Sequence, residues 1–186
     1  MRASRIGSMV AALGLGWAVL GGAQPAHAIE PYLVSVGLLG GIGGPLDANA
    51  PDPGFANRSL QAQIGLLTAP STLVQLRLGR IDFGNGDRLG DLSAPTLSYA
   101  TVAGEYRFPR GYYDSGMFLG LGAYRLEGDR ADGSHSQTSI GATLGVTGEV
   151  EINKWMGILA EVAGHYTQLD EANFFGTAQV GLAVHF

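Results

Sequence analysis

Ionisable residues are scarce in this chain. Eight of them alternate with apolar residues, in segments whose small and polar residues are predicted to line the interior of the protein. Six form a candidate polar cluster, namely Arg77, Glu105, Arg107, Glu149, Glu161 and His165, and two more, Glu151 and His185, have the same placement. Charges enclosed inside a protein must pair with one another or reach water, because isolated burial is very costly. We therefore expect salt bridges and hydrogen bonds that fill the interior, with an ion path or a gate as the alternative. The sequence leaves open which acid meets which arginine, since that pairing depends on strand register.

Other kinds of functional site have little support from the residues present. The chain contains no cysteine, which excludes thiolate catalysis, disulfides and zinc–thiolate centres. Segments 85–88 and 127–133 contain aspartates beside glycines, but neither has the full spaced carboxylate pattern of a calcium loop. The glycine run 40–44 lacks the Gly-Lys-Ser/Thr of a phosphate-binding loop. We expect no metal and no cofactor.

The placement of the ionisable residues follows from a period-two alternation that recurs in blocks of roughly ten residues. In the clearest block, 139–152, every second residue is apolar or glycine, and the intervening residues are small, polar or acidic. A strand separates these two sets onto opposite faces, whereas a helix mixes them. The eight blocks span about 31–40, 60–66, 72–83, 96–108, 116–126, 139–152, 156–167 and 174–186. In the third block, Ile81 and Phe83 join the apolar face only if a bulge lies near Gly79 and Arg80.

The connections between the blocks alternate as well. Longer connections rich in Gly, Asp, Asn and Pro follow the odd blocks, at 41–58, 84–94, 128–136 and the shorter 169–172. Mostly shorter connections follow the even blocks, at 69–71, 109–115 and 153–154. This order predicts an all-β fold, an eight-stranded antiparallel up-and-down meander that closes into a barrel and so removes its exposed edges.

Three features indicate that the apolar face of this barrel lies outside, against lipid. The more polar face is rich in glycine and alanine, which suit the narrow interior of an eight-stranded barrel. The chain has a single lysine, Lys154, and it lies in a predicted turn. Aromatic residues collect near strand ends, as in the girdles of membrane barrels: Tyr32, Tyr106, Phe108, Tyr112, Tyr113, Trp155, Tyr166, Phe174 and Phe186. We thus expect a transmembrane β-barrel, with a soluble periplasmic carrier of an apolar ligand as the alternative.

The first 28 residues are typical of a secretory signal peptide, which leaves residues 29–186 as the barrel. Arg2 and Arg5 precede an uncharged apolar stretch, and Ala26-His27-Ala28 supplies a small-x-small cleavage pattern. Removal of the two arginines leaves nine basic and 16 acidic residues, so that the net charge changes from −5 to −7. This acidic balance argues against binding of nucleic acid, which needs a basic surface.

The last block ends in an aromatic residue, Phe186, with Val184 and Leu182 alternating behind it. Together with the alternation across residues 29–186, this ending resembles the bacterial outer-membrane β-barrels. It looks like the small eight-stranded class that includes the OmpA membrane domain, OmpX, OmpW and opacity-type proteins. The resemblance implies a monomer in the outer membrane of a Gram-negative cell, in contact with outer-membrane lipid and lipopolysaccharide. It also implies that Phe186, Val184 and Leu182 form the signal that the barrel-insertion machinery reads.

Within this class we expect a non-enzymatic structural or surface-interaction role, with a largely filled lumen. Acidic residues gather at the long-loop end, where they could bind divalent cations that bridge lipopolysaccharide or meet a surface ligand. One related group, the lipid A deacylases, uses a His-x-Ser pair that faces lipid. This sequence has His165-Tyr166-Thr167, with threonine at the serine position and with His165 on the same face as Glu161. A lipid acyl hydrolase and a narrow pore are the functional alternatives.

Overall fold

The computed structural model describes residues 33–47, 56–84, 88–110 and 113–186, and the predicted signal peptide, residues 1–28, lies outside this part. The described residues form nine strands: β1 (Val34–Pro45), β2 (Asn57–Ala69), β3 (Thr72–Asp82), β4 (Arg88–Leu89), β5 (Leu92–Arg110), β6 (Tyr113–Arg130), β7 (Gly133–Asn153), β8 (Met156–Thr167) and β9 (Phe174–His185). The described part of the chain contains no helix long and apolar enough to cross a membrane.

The strands form one antiparallel sheet that closes on itself. Each long strand pairs with the next long strand along the chain, and β1 pairs with β9 to complete the ring. β4 pairs only with the first residues of β5 and forms a small hairpin above the wall. The eight long strands therefore confirm the predicted eight-stranded antiparallel up-and-down barrel.

Hydrogen-bonded rows of residues climb as they pass around the barrel, so the strands are tilted against its axis. A row that starts at Ser35 returns to β1 at Pro45, ten residues further along, after passing through Gly65, Gln75, Ala103, Gly120, Thr143, His165 and Phe175. Ten residues of ~3.3 Å each, spread over eight interstrand spacings of ~4.8 Å, correspond to a tilt of about 40°. An eight-stranded barrel with such a tilt has an interior just wide enough to be filled by side chains.

The alternation in sequence fixes which side chains enter the interior. From Gly157 to Thr167 on β8, every odd-numbered residue is buried and every even-numbered residue is exposed. A shift of one residue in the pairing would turn the charged Glu161 outward and bring Val162 inward. The register is therefore specified by the chemistry of both faces.

The bulge that would have placed Ile81 and Phe83 on the apolar outer face of β3 does not occur. The pairing of β3 with β2 and β5 continues through Gly79 and Arg80 without a register shift. Ile81 and Phe83 are therefore buried inside the barrel, on the face opposite to Leu76 and Leu78. A side chain at position 79 would collide with the ring of Tyr99, so glycine is needed there to let that ring lie across the strand.

The apolar residues change face on β3 because the surroundings of the wall change. Towards the long-loop end, the outward side chain after Leu78 is Arg80, while the inward side chains pass from Arg77 to Ile81. The same exchange occurs on the neighbouring strands, where the outward residues become Ser98, Thr96, Arg125 and Glu127 and the inward residues become Leu97, Tyr124 and Leu126. The barrel is thus apolar outside and polar inside over most of its height, and the reverse at the long-loop end.

An apolar cap fills the interior at the long-loop end. It consists of Ile81, Phe83, Leu89, Leu92, Leu97, Tyr99, Tyr124, Leu126, Leu169, Ala172 and Phe175, all of them buried. The rings of Phe83 and Phe175 meet edge to face, with centroids 6.4 Å apart. This geometry is a favourable aromatic arrangement and is typical of a well-packed core.

An apolar belt surrounds the rest of the barrel. Large hydrophobic side chains are exposed on every long strand, including Leu38, Leu60, Ile64, Leu76, Val102, Leu119, Leu144, Val162 and Leu182. Aromatic pairs flank the belt: Tyr106 packs on Phe108 near the short turns, and Tyr166 packs on Phe174 near the long loops. The predicted girdle residues Tyr32 and Tyr112 lie outside the described residues.

The height of the belt matches a bilayer. From Trp155 to Tyr166, the exposed aromatic residues at the two ends of β8, the wall rises roughly 28 Å at ~3.3 Å per residue and a tilt of about 40°. A soluble carrier would present its polar face to water. The fold instead has the apolar outer surface and polar lumen of a transmembrane β-barrel.

A charge in the middle of the belt is expected to destabilise the barrel far more than a charge at the long-loop end. Leu119→Arg should lower the free energy of unfolding in lipid vesicles by about 2–4 kcal/mol, because Leu119 is 63% exposed within the belt. The matched change Thr138→Arg, on the exposed part of β7 beyond the belt, should cost only about 0–1 kcal/mol. Urea titration followed by the fluorescence of Trp155 measures both, and equal losses would contradict the proposed depth of Leu119.

Candidate functional site

The polar lumen is the candidate site, and the six residues of the predicted cluster are all buried in it. Each is less than 10% exposed: Arg77, Glu105, Arg107, Glu149, Glu161 and His165. Four different strands supply them, which explains why their sequence positions do not reveal their contacts. His185 is also buried in the lumen, and Glu151 is partly exposed close to the short turns.

Near the short turns, Arg107 joins two glutamates. Its Nε donates to Oε1 of Glu105 at 3.2 Å, and its Nη1 donates to Oε2 of Glu149 at 3.0 Å. Thr147 Oγ1 donates to the same Glu105 oxygen at 2.8 Å. The imidazole of His185 forms a hydrogen bond with Glu149 Oε1. Both carboxylates therefore have charged or polar partners, as burial of a charge requires.

In the middle of the lumen, Arg77 pairs with Glu161. Nη1 of Arg77 lies 2.9 Å from Oε2 of Glu161, and both side chains are almost fully buried. Gln61 Nε2 donates to Oε1 of Glu161 at 3.2 Å. The guanidinium also stacks over the ring of Phe118, with Cζ 3.5 Å from the ring centroid. This contact adds a cation–π attraction in a place where water has little access.

Gln75 connects the two groups into one network. Its Oε1 accepts a hydrogen bond from Arg77 Nε at 2.9 Å, and its Nε2 donates to Glu105. At the other end, Tyr99 donates to Gln61 Oε1 at 2.8 Å. A continuous chain of polar contacts thus runs from Tyr99, in the apolar cap, to His185 near the short turns. Such networks are rigid when every member has a partner.

Sequence reasoning missed the uncharged members of this network. Gln61, Gln75, Tyr99 and Thr147 carry no charge, but each alternates with apolar residues in the same way as the charged members do. That alternation is the sequence signal that could have identified them as residues of the lumen. Inward glycines make room for the network: a methyl group at Gly116 would collide with the oxygens of Glu105 and Thr147.

His165 lies apart from the ion pairs, at the base of the apolar cap. Its Nδ1 is 3.1 Å from the hydroxyl of Tyr124, and its Nε2 is 3.5 Å from Oγ1 of Thr177. The ring of Tyr99 packs against it at 4.8 Å between centroids. His165 and Thr167 both point into the barrel and are less than 4% exposed, so neither can meet an acyl chain in the surrounding lipid.

The acidic segments at the long-loop end form ion pairs of their own. Glu127 pairs with Arg125 at 2.6 Å, and Glu171 pairs with Arg130 at 2.5 Å. Among the residues that the structure describes, no group of three or more His, Asp or Glu side chains could hold a metal ion. In the segment 85–88, residues 85–87, including its single carboxylate Asp87, lie outside the described residues.

Comparisons with known proteins give matches in structure and none in sequence. No protein-family model and no curated protein sequence matches the chain. Neisserial surface protein A superposes with a TM-score of 0.69 at 14% identity, over 82% of this chain and 97% of that one. The chain has the fold of the small bacterial outer-membrane β-barrels.

Two further solved structures support the same assignment. The N-terminal β-barrel domain of OprF from Pseudomonas aeruginosa gives a TM-score of 0.55 at 14% identity, over 82% of this chain and 97% of that domain. The Yersinia pestis outer membrane protein Ail, in a phospholipid bilayer nanodisc, gives 0.51 at 15% identity, over 84% of this chain and all of that one. At these identities the likeness concerns the outer-membrane barrel fold, and it confirms the class predicted from the alternation.

Loss of Arg77 is expected to destabilise the barrel strongly, because it leaves the carboxylate of Glu161 buried without its ion-pair partner. Arg77→Met should lower the free energy of unfolding by about 3–5 kcal/mol. Adding Glu161→Gln to that variant should recover a large part of the loss, since the unpaired charge is then removed. Urea unfolding in vesicles measures the three proteins.

Arg125→Met is the matched control for this cycle, because its ion pair with Glu127 is about half exposed. Its loss should stay below about 1 kcal/mol. If Arg77→Met lowered the free energy of unfolding no more than Arg125→Met does, the buried network would not be a major source of the barrel's stability.

Proposed function

We propose that the protein is an integral barrel of the bacterial outer membrane with a non-enzymatic structural or surface-interaction role, and that it does not conduct solutes. The observation that carries this proposal is the filled lumen. Ion pairs and hydrogen bonds occupy its lower and middle parts, and the apolar cap closes it at the long-loop end. A barrel with a filled interior leaves its outer surface and loops for contact with other molecules, because the lumen offers no path.

The apolar cap is the part of the lumen that excludes the passage of ions. Polar side chains alone could be hydrated and exchange ions with water, but a layer of packed apolar side chains has no room or partners for water. The cap includes the fully buried Leu97, Leu126 and Phe175. An ion that entered from the short-turn end would therefore have to be desolvated among apolar groups.

The purified wild-type protein is expected to give no conductance steps in planar bilayers. Phe83→Ala combined with Phe175→Ala removes two rings that pack edge to face in the cap and should produce a measurable ionic leak. Phe174→Ala is the control, since Phe174 is the neighbour of Phe175 but points outward. Conductance in the wild-type protein would overturn the closed-lumen proposal.

A protruding sheet supports the surface-interaction role. β5, β6 and β7 are much longer than the other strands and extend past the belt. Residues 133–140 of β7 pair only with β6 among the described strands, because pairing with β8 begins at Gly141. The lower part of this edge is covered, since Gln137 and Ser139 accept hydrogen bonds from the backbone of Asp170 and Gln168. Among the described residues no strand covers the edge above Gln137, and we propose that an extended chain from a partner protein pairs there.

The proposed orientation places the long-loop end outside the cell. Because the chain has no cysteine, single cysteines introduced at exposed sites give clean labels. Ser134→Cys, in the protruding hairpin, should react with a membrane-impermeant maleimide on intact cells. Lys154→Cys, in a short turn, should react only after the outer membrane is opened. The opposite pattern would reverse the orientation, and labelling of neither site in membranes would argue against outer-membrane insertion.

The proposed partner during assembly is the barrel-insertion machinery, and the proposed signal is Phe186 with Val184 and Leu182. Phe186 is 65% exposed, and its backbone completes the seam by donating to Val34 O at 2.9 Å and accepting from Leu33 N at 2.9 Å. Its side chain thus points outward from the strand that closes the ring, where another protein can bind it.

Phe186→Ala is expected to lower the amount of folded barrel in the outer membrane severalfold, measured by heat-dependent gel mobility. Phe174→Ala removes a similarly exposed ring from the other end of β9 and should leave the amount near the wild-type level. Equal effects of the two variants would mean that lost packing, and not recognition of the last residue, is responsible.

A further inference from the structure

A groove crosses the lipid-facing surface of β1, β2 and β3. Its volume is about 630 Å³, and its outward-pointing lining consists of Leu38, Gly40, Leu60, Ala62 and Leu78, with Arg80 at one end. The three leucines are half to two-thirds exposed. The groove is therefore apolar along its length and charged at a single end.

The groove exists because small residues alternate with leucines across adjacent strands. Leu38 pairs with Ala62, Ala62 pairs with Leu78, and Gly40 pairs with Leu60. A methyl group at Gly40 would meet only ordinary van der Waals contact with Leu60 at 3.5 Å, so the backbone there does not need glycine. The missing side-chain volume at positions 40 and 62 leaves the channel between the flanking leucines.

The groove lies in the half of the belt nearer the long loops. Because hydrogen-bonded rows climb from β1 towards β9, the registers bring Arg80 on β3 to about the same level as Tyr166 on β8. Tyr166 belongs to the aromatic pair that marks that edge of the belt. Within the belt the surrounding medium is lipid, so an acyl chain is the molecule that fills an apolar channel there.

The charged end of the groove has an excess of positive charge. Arg80 Nε lies 2.5 Å from Asp82 Oδ1, its Nη2 lies 3.5 Å from Thr96 Oγ1, and its side chain remains 59% exposed. Arg58 pairs with Asp82 across the strands, which makes it the diagonal neighbour of Arg80, with the Cβ atoms ~7–8 Å apart. Two guanidinium groups thus accompany one carboxylate, and both can reach one phosphate between them.

We propose that this groove binds one phosphate-bearing lipid of the outer leaflet, with an acyl chain between Leu38 and Leu78 and a phosphate at Arg80 and Arg58. At the same level on the opposite side of the barrel, the outer surface carries the Tyr166–Phe174 pair. Lipid A and glycerophospholipids share the required chemistry. The inference rests on the outer-membrane placement proposed above.

Native mass spectrometry of the refolded barrel in detergent tests the site. The protein is mixed with equal amounts of lipid A, phosphatidylglycerol and a phosphate-free galactosyl diacylglycerol. The wild-type protein should retain a phosphate-bearing lipid about tenfold better than the galactolipid, the ratio that ~1.4 kcal/mol supplies. Retention of lipid A alone identifies a lipopolysaccharide site, and equal retention of phosphatidylglycerol identifies a general phospholipid site.

Two variants separate the parts of the site, and each has a control. Arg80→Gln should abolish the preference for phosphate, whereas Arg125→Gln, at an equally exposed arginine that also has an acidic neighbour, should preserve it. Ala62→Leu fills the channel and should reduce retention of every lipid, whereas Ala123→Leu, on the lipid-facing side of β6, should not. No preference in the wild-type protein, or equal effects of a variant and its control, would overturn the site. Failure of the wild-type chain to insert into vesicles would instead overturn the outer-membrane placement itself.

Discussion

The pairing of β1 with β9 is the interaction on which the rest of this molecule depends. In lipid no water is present to satisfy an exposed strand edge, so a sheet can cross the membrane only when it is closed. Closure also fixes the geometry, because the ten-residue stagger between Ser35 and Pro45 determines the tilt of all eight strands. That tilt leaves a narrow interior, and the inward residues must fill it. The glycine-rich inner wall, the buried ion pairs and the apolar cap are all consequences of one closed ring.

The buried ion pairs have a particular place in this architecture. An ion pair in a soluble core is often no better than apolar side chains of the same shape. Here the outer face is apolar, so a chain with an apolar inner face as well would have no alternation to define its register. Glu161 and Arg77 therefore contribute specificity: a strand shifted by one residue would expose a charge to lipid. The arginine stacked on Phe118 also fills volume, and the network acts as packing as much as electrostatics.

The strand pattern could be predicted from the sequence because a strand has a strict period and each face meets one environment. The inward placement of Glu161 and His165 followed from that period together with the features that put the apolar face against lipid. Their partners could not be predicted in this way, because Arg77 contacts Glu161 across the interior, and the two residues lie on strands that are distant in the chain. Tyr99 and Gln61 were missed because an uncharged polar residue gives no sign that it closes a network. The face of Ile81 and Phe83 stayed open at the level of sequence, because a bulge and a change of environment produce the same shift in the apolar pattern.

That shift carries information of its own. On β3 the apolar residues cross from the outer to the inner face between Leu78 and Ile81, where the medium around the wall changes from hydrocarbon to water. The position on each strand at which the apolar residues change face therefore marks the boundary of the membrane, independently of the aromatic residues. Below this crossing the barrel obeys the substitution rules of a membrane protein, and above it those of a soluble β-barrel. An outward apolar residue can therefore be replaced by a charged one above the crossing, whereas the same substitution a few ångströms lower, in contact with hydrocarbon, destabilises the barrel.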